Sequence, residues 1–247
     1  VGAAMTLVIR PGTPGKLILA QTYTPGDRYY NETSLLLHGN GSNGSTSIID
    51  SSPNPKIVTA VGNAQISTAQ SKFGGSSIAF DGTGDYLVAP ASSAFTFNGA
   101  VQNFTIELWS YWTGPSSGLN NAQFVGTAPA TSPHVAGVWL LATDGANYRW
   151  FNSSGIGGLD MPLTRNQWQH VAVVCNSAAI KMYVDGIGSP WTLLTNINYS
   201  FNGPLAMGAF GNTFVTGYIS EIRITKNIAR YTANFTPPTA AFADGYY

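Results

Sequence analysis

Between Ser34 and Thr225 the chain is broken every few residues by glycine, proline, asparagine or aspartate, and no amphipathic helical pattern of roughly a dozen residues survives uninterrupted. That punctuation rules out a helical fold, because proline removes a ladder donor and glycine raises the entropic cost of a helix interior. The 28 Gly and 14 Pro are joined by 12% aromatic residues and by many β-branched ones. Such residues suit short pleated strands. Strands are expected at Ser34 to His38, Ile57 to Val61, Ser76 to Phe80, Tyr86 to Ala89 and Asn103 to Trp112. Others follow at Val135 to Thr143, Asn147 to Asn152, Trp168 to Cys175, Ala179 to Val184, Phe201 to Gly208 and Gly217 to Thr225. In the longest early run, Phe104, Ile106 and Leu108 alternate with Thr105, Glu107, Trp109 and Tyr111. One face therefore turns inward and the other outward. Many short strands joined by Gly and Asn turns predict an all-β antiparallel jelly-roll sandwich.

Charge narrows the function classes. Eleven Lys plus Arg balance eleven Asp plus Glu, and together they make up 9% of the 247 residues. A surface this sparse carries no basic stripe to track phosphates, so nucleic acid is not an expected partner. No run approaches the roughly 20 apolar residues of a membrane span, so no membrane partner is expected either. Near-zero net charge removes self-repulsion, and a homo-oligomer is expected. Cys175 is the single cysteine, which excludes an intramolecular disulfide. Residues 1–32 read as an N-terminal arm, in which Met5 to Arg10 and Lys16 to Tyr23 form a hairpin expected to dock on the main domain or on a neighbouring chain. Residues 33–238 form the main domain and residues 239–247 a tail. The segment Thr236-Pro237-Pro238 is expected to run extended across the surface.

Seven short motifs carry a family resemblance. They begin with Ser34-Leu35-Leu36-Leu37-His38, Asp50-Ser51-Ser52, Lys72 to Gly82 and Phe104-Thr105-Ile106-Glu107-Leu108-Trp109. They continue with Trp168-Gln169-His170-Val171-Ala172, Tyr183-Val184-Asp185-Gly186 and Ser220-Glu221-Ile222-Arg223-Ile224. In this order they resemble the laminin G-like members of the concanavalin A-like lectin and glucanase superfamily. The closing run Arg230 to Pro238 resembles the laminin G-like domains of tailed-bacteriophage virion proteins. The resemblance implies a non-enzymatic module on a virion surface, as a tail-fibre adhesin or a capsid decoration. Its implied partners are other virion subunits and a host-surface glycan. The alternatives are a glycoside hydrolase and a secreted bacterial carbohydrate-binding adhesin module.

Candidate sites follow from this resemblance and from the residue types present. Calcium, which takes six to eight oxygens, is the cofactor the family implies, with Asn40, Asp50, Asp81 and Glu221 as candidate ligands. Asn40 stands where relatives often have an aspartate, and it supplies oxygen without charge. Sugar binding calls for aromatic faces that stack on pyranose rings, with amides fixing the hydroxyls. Trp109, Tyr111, Trp112, Tyr148 and Trp150 are the candidate platforms. Asn120 and Asn121 are the candidate polar contacts, in a variable loop running from Gly114 to Thr131. Glycoside hydrolysis needs two carboxyl groups flanking the bond. Glu107 is followed at alternate positions by Trp109 and Tyr111, so no catalytic residue is expected.

Overall fold

A computed structural model of the protein describes residues 26–98, 101–115, 121–127, 137–152, 158–190, 192–194 and 198–245. The expected arm hairpin, Asn120 and much of the Gly114 to Thr131 loop lie outside them. Among the described residues, nine strands form one antiparallel sheet. Its central run places Trp168–Asn176 beside Phe104–Trp112, then Thr216–Lys226, Ser77–Asp81 and Gln65–Ser67. Ala179–Val184 continues the sheet beyond Trp168–Asn176, and Thr33–Leu37 pairs with the C-terminal half of Thr216–Lys226. A second sheet of seven strands runs from Leu159–Pro162 through Asn147–Asn152, Trp139–Thr143, Ala122–Gly126, Leu205–Met207 and Tyr86–Ala89 to Thr59–Val61.

The two sheets bury their facing sides against each other, and the parity of each strand decides which side chains enter. Phe104, Ile106 and Leu108 join Val171, Val173, Ile219 and Ile224 from the first sheet. Leu87, Phe124, Leu141, Tyr148, Trp150 and Met207 meet them from the second. Trp139 and Trp150 stack at 5.8 Å, and Phe97 stacks on Phe104 at 4.5 Å. Two polar groups in this core find partners. Trp139 Nε1 donates to the Phe95 carbonyl at 2.8 Å, and the Tyr148 and Ser110 hydroxyls lie 2.6 Å apart. Cys175 packs in the same core, where burial pushes its thiol up to about 11.

The expected all-β sandwich is therefore present, with three departures. Ala122–Gly126 is a fully buried strand of the second sheet, although it falls within the stretch expected to be one variable loop. Its polar members are absorbed locally, since buried Gln123 donates through Nε2 to the Ala206 carbonyl at 2.8 Å. Gln65–Ser67 and Leu159–Pro162 are short strands that the apolar pattern does not announce. Residues 26–32, counted with the arm in sequence, pack on the sandwich. Asp27 accepts hydrogen bonds from Arg223 and Arg230, and its backbone N–H reaches the Gly245 carbonyl at 2.8 Å.

Candidate functional site

The outward face of the nine-stranded sheet carries the unusual chemistry. Thr105, Glu107, Trp109 and Tyr111 point to it from the central strand, as alternation requires. A bulge in the neighbouring strand adds to this set. Ser220 pairs with Trp109 and Arg223 with Glu107, so Glu221 and Ile222 together oppose the single residue Leu108. Glu221 adopts a left-handed φ of 55°, a strained conformation for a residue with a side chain. The bulge sends Ile222 into the core while Glu221 and Arg223 both join the outward polar set.

Most of this face is sealed by the chain's own C-terminal segment. Tyr231 and Phe235 stack on each other at 3.6 Å and pack against Ala172, Val174 and Tyr183. Phe242 lies over the Arg223 guanidinium at 3.7 Å and donates its backbone N–H to Glu221 at 2.8 Å. Beneath them Glu107 is wholly buried. It accepts from Arg223 Nε at 2.9 Å and from the Tyr231 hydroxyl at 2.7 Å, and lies 3.1 Å from His170 Nε2. Burial alone would raise the Glu107 carboxyl, but the Arg223 charge, the His170 hydrogen bond and Arg230 hold it far below the usual carboxylate range. On the far side the Lys72 ammonium caps buried Trp109 at 3.8 Å, and Phe73 meets the same ring edge-on at 5.9 Å.

One row of the face stays open. Trp168, Tyr111 and Tyr218 sit opposite one another on three adjacent strands and all three are only partly buried. Their ring centroids are 5.6 Å apart for Trp168 and Tyr111, and 6.0 Å apart for Tyr111 and Tyr218. Beyond Tyr218 the row opens into a groove of about 410 Å³ lined by Asn63, Gln65, Asp81, Thr113 and Thr216. Aromatic planes that lead into amide, hydroxyl and carboxylate groups are the surface expected to hold a polyhydroxylated ring.

The sequence candidates divide sharply against this geometry. Tyr111 belongs to the open row. Trp109 shares its face but is buried under Lys72 and Phe73. Trp112, Tyr148 and Trp150 are corrected to core residues, each 1% exposed or less, with no ring face free for a ligand. Asn121 has φ 61° and accepts from Arg149 at 3.2 Å, away from the row. Trp168 and Tyr218 are not among the sequence candidates, although strand parity marks both: Trp168 shares its side with His170, and Tyr218 is out of phase with core Ile219.

The calcium candidates are each engaged by other groups of the protein. Asp50 accepts backbone N–H groups of Leu36, Ser52 and Lys56 at 3.0, 2.9 and 2.7 Å. Asp81 accepts from the Thr83 N–H and the Asn63 amide. Glu221 is wholly buried and held by His38 at 2.9 Å and by the Phe242 N–H. The Asn40 amide fills the space that a side chain at Gly74 would need. These are turn and packing roles, and no group of three His, Cys, Asp or Glu side chains among the described residues is arranged to hold a metal. Hydrolytic chemistry fares no better, since Glu107 and Glu221 are both sealed from any substrate.

Comparison with known proteins agrees with this architecture. No curated protein matches the chain in sequence. By fold it is similar to the binding domain of Paraclostridial Mosquitocidal Protein 1, at 16% identity and a TM-score of 0.59, over 82% of this chain and 50% of that one. The botulinum neurotoxin serotype D binding domain is similar at 14% identity and a TM-score of 0.60, over 83% and 49%. This chain thus spans about half the length of those toxin domains. Domain 4 of an extracellular arabinanase from Geobacillus stearothermophilus, solved in complex with arabinotriose, matches at 18% identity and a TM-score of 0.56, over 80% and 95%. These neighbours overturn the narrower expectation of a bacteriophage virion protein, and with it the virion-surface and capsid-decoration roles. The likeness runs instead to toxin binding domains and an arabinanase module. A family profile described as the concanavalin A-like lectin/glucanases superfamily matches residues 81–229, more than half of the sequence. The chain belongs to the concanavalin A-like lectin/glucanases superfamily.

Proposed function

We propose that the protein is a carbohydrate-binding module that works by contact and not by bond cleavage, with the glycan lying across Trp168, Tyr111 and Tyr218. The observation that carries this reading is the partial exposure of the row on a face that the chain itself largely covers. Pyranose C–H faces stack on the rings, and hydroxyls reach the polar groove beyond Tyr218. The open-ended row suits a stretch of a polymer better than a single enclosed sugar. The arabinotriose complex of the similar arabinanase domain supports a saccharide ligand, and the binding role named for the toxin domains supports a recognition module. The module acts outside the cell, where such polymers are met.

A glycan array of the wild-type protein tests this reading. Retention of a defined oligosaccharide set is expected. Truncating a well-placed aromatic anchor costs on the order of 2 kcal/mol, so Tyr218→Ala should weaken each hit by roughly 30-fold. An array without hits, or hits indifferent to Tyr218→Ala, refutes the assignment.

A further inference from the structure

A second groove lies at another edge of the sandwich, where the Tyr30–Glu32 turn, the Ser93–Phe95 turn and the end of Thr216–Lys226 meet. Its volume is about 520 Å³, within the range of small-ligand sites. Two of the chain's five lysines, Lys56 and Lys226, line it. In so charge-poor a sequence that pairing is conspicuous. Lys56 Nζ lies 6.0 Å from the Phe95 ring and Lys226 Nζ lies 5.9 Å from the Phe97 ring. Each donates to one backbone carbonyl, Asn54 for Lys56 and Ser93 for Lys226. An ammonium has three N–H donors, so two on each lysine remain uncommitted to these bonds. Neither takes part in an ion pair among the described residues. Burial holds both ammonium groups below their ordinary range, and a bound anion would reverse that cost.

Glu32 lines the same groove and pairs with neither lysine. Its charge repels a compact dianion such as phosphate, yet a carboxylate is a good acceptor for hydroxyl groups. Asn31 and Asn54 add amides alongside. The ligand this set recognises therefore carries an anionic group and hydroxyls on one small frame. We propose that the groove binds an acidic saccharide, its carboxylate held between Lys56 and Lys226 and its hydroxyls taken by Glu32 and the flanking amides. This site is separate from the aromatic row and stands without it.

The test is calorimetric titration of the full chain with a galacturonic acid trisaccharide, its neutral galactose counterpart and inorganic phosphate. The uronate is expected to bind at least roughly tenfold more tightly than either control and to weaken at least about fivefold between about 50 and 500 mM salt. K56Q/K226Q should reduce uronate affinity at least roughly tenfold with an unchanged melting temperature, while Tyr111→Ala leaves it intact. Absence of uronate binding, equal binding of the neutral sugar, or phosphate binding as tight as the uronate overturns the proposal. Because the three-ligand comparison and the salt series use the wild-type protein, they decide the matter even if the double variant fails to fold.

Discussion

Glu107 shows how a residue's neighbours reassign its role. It occupies the outward phase of a strand, where an acidic side chain normally meets water, yet Arg223, His170 and Tyr231 surround it completely. Removing one partner of a buried pair leaves the other charge uncompensated, at a cost of about 3–5 kcal/mol. Glu107→Gln is accordingly expected to destabilise the protein by about that much in urea unfolding, without altering binding at the open row. His38 gives a pH signature. Burial lowers its basicity, but its hydrogen bond to Glu221, the Glu221 charge and Asp244 outweigh burial and the opposing Arg223, so its pKa lies above the ordinary 6.5. The folded state then holds this proton more tightly than the unfolded chain. His38 thus contributes stability that is full below pH 6.5 and is lost as pH rises through the higher folded value. The difference in melting temperature between wild type and His38→Gln should be largest in acid and shrink towards alkaline pH. A difference that grows with pH contradicts the assignment. The outward phase of Glu107 and Tyr111 is legible in the alternation of Phe104 to Trp112. That Glu107 is buried is not, because Tyr231 and Arg223 lie more than a hundred residues away.

Among the elements, the C-terminal segment decides which part of the face is open. It is held by a tight turn: Gly186 has φ +80°, and an added Cβ would lie 1.8 Å from the Phe235 carbonyl oxygen. That carbonyl belongs to a residue whose N–H donates to the Gly186 carbonyl at 3.0 Å. Gly186→Val should strain the turn by about 1–3 kcal/mol and displace Tyr231 and Phe235. Limited proteolysis is expected to cut the variant at Lys226 or Arg230 well before the wild type. The expected extension of Thr236-Pro237-Pro238 leaves open what this segment covers. Strands with strict alternation, such as Phe104–Trp112, are readable from sequence; in Thr216–Lys226 the bulge at Glu221 and Ile222 breaks the alternation. Ala122–Gly126 is not, because Gln123 and Gly126 look like loop residues until the Ala206 carbonyl and the close approach of the Trp139 carbonyl are seen. The same limit applies to the platforms: sequence marks an aromatic residue, whereas pairing register marks its face.

Across the sandwich as a unit, stability comes from a core between two sheets with the C-terminal segment packed on the outside, and the calcium candidates are engaged in separate turn and packing contacts. EDTA should leave the melting temperature unchanged, and added calcium should not raise it. A calcium-dependent rise of several degrees, abolished by Asp81→Asn, would restore a metal site. Function rests on the division of the aromatic residues between core and open row. That division is read most cleanly from a pair of variants assayed for both affinity and melting temperature, using an oligosaccharide selected on the array. Tyr111→Ala is predicted to lose affinity by at least roughly tenfold and to keep nearly the wild-type melting temperature. Trp150→Phe, a core substitution, is predicted to lower the melting temperature and keep the affinity. The reverse pattern, with Trp150 governing affinity and Tyr111 only stability, would mean that the row is packing and the binding surface lies elsewhere.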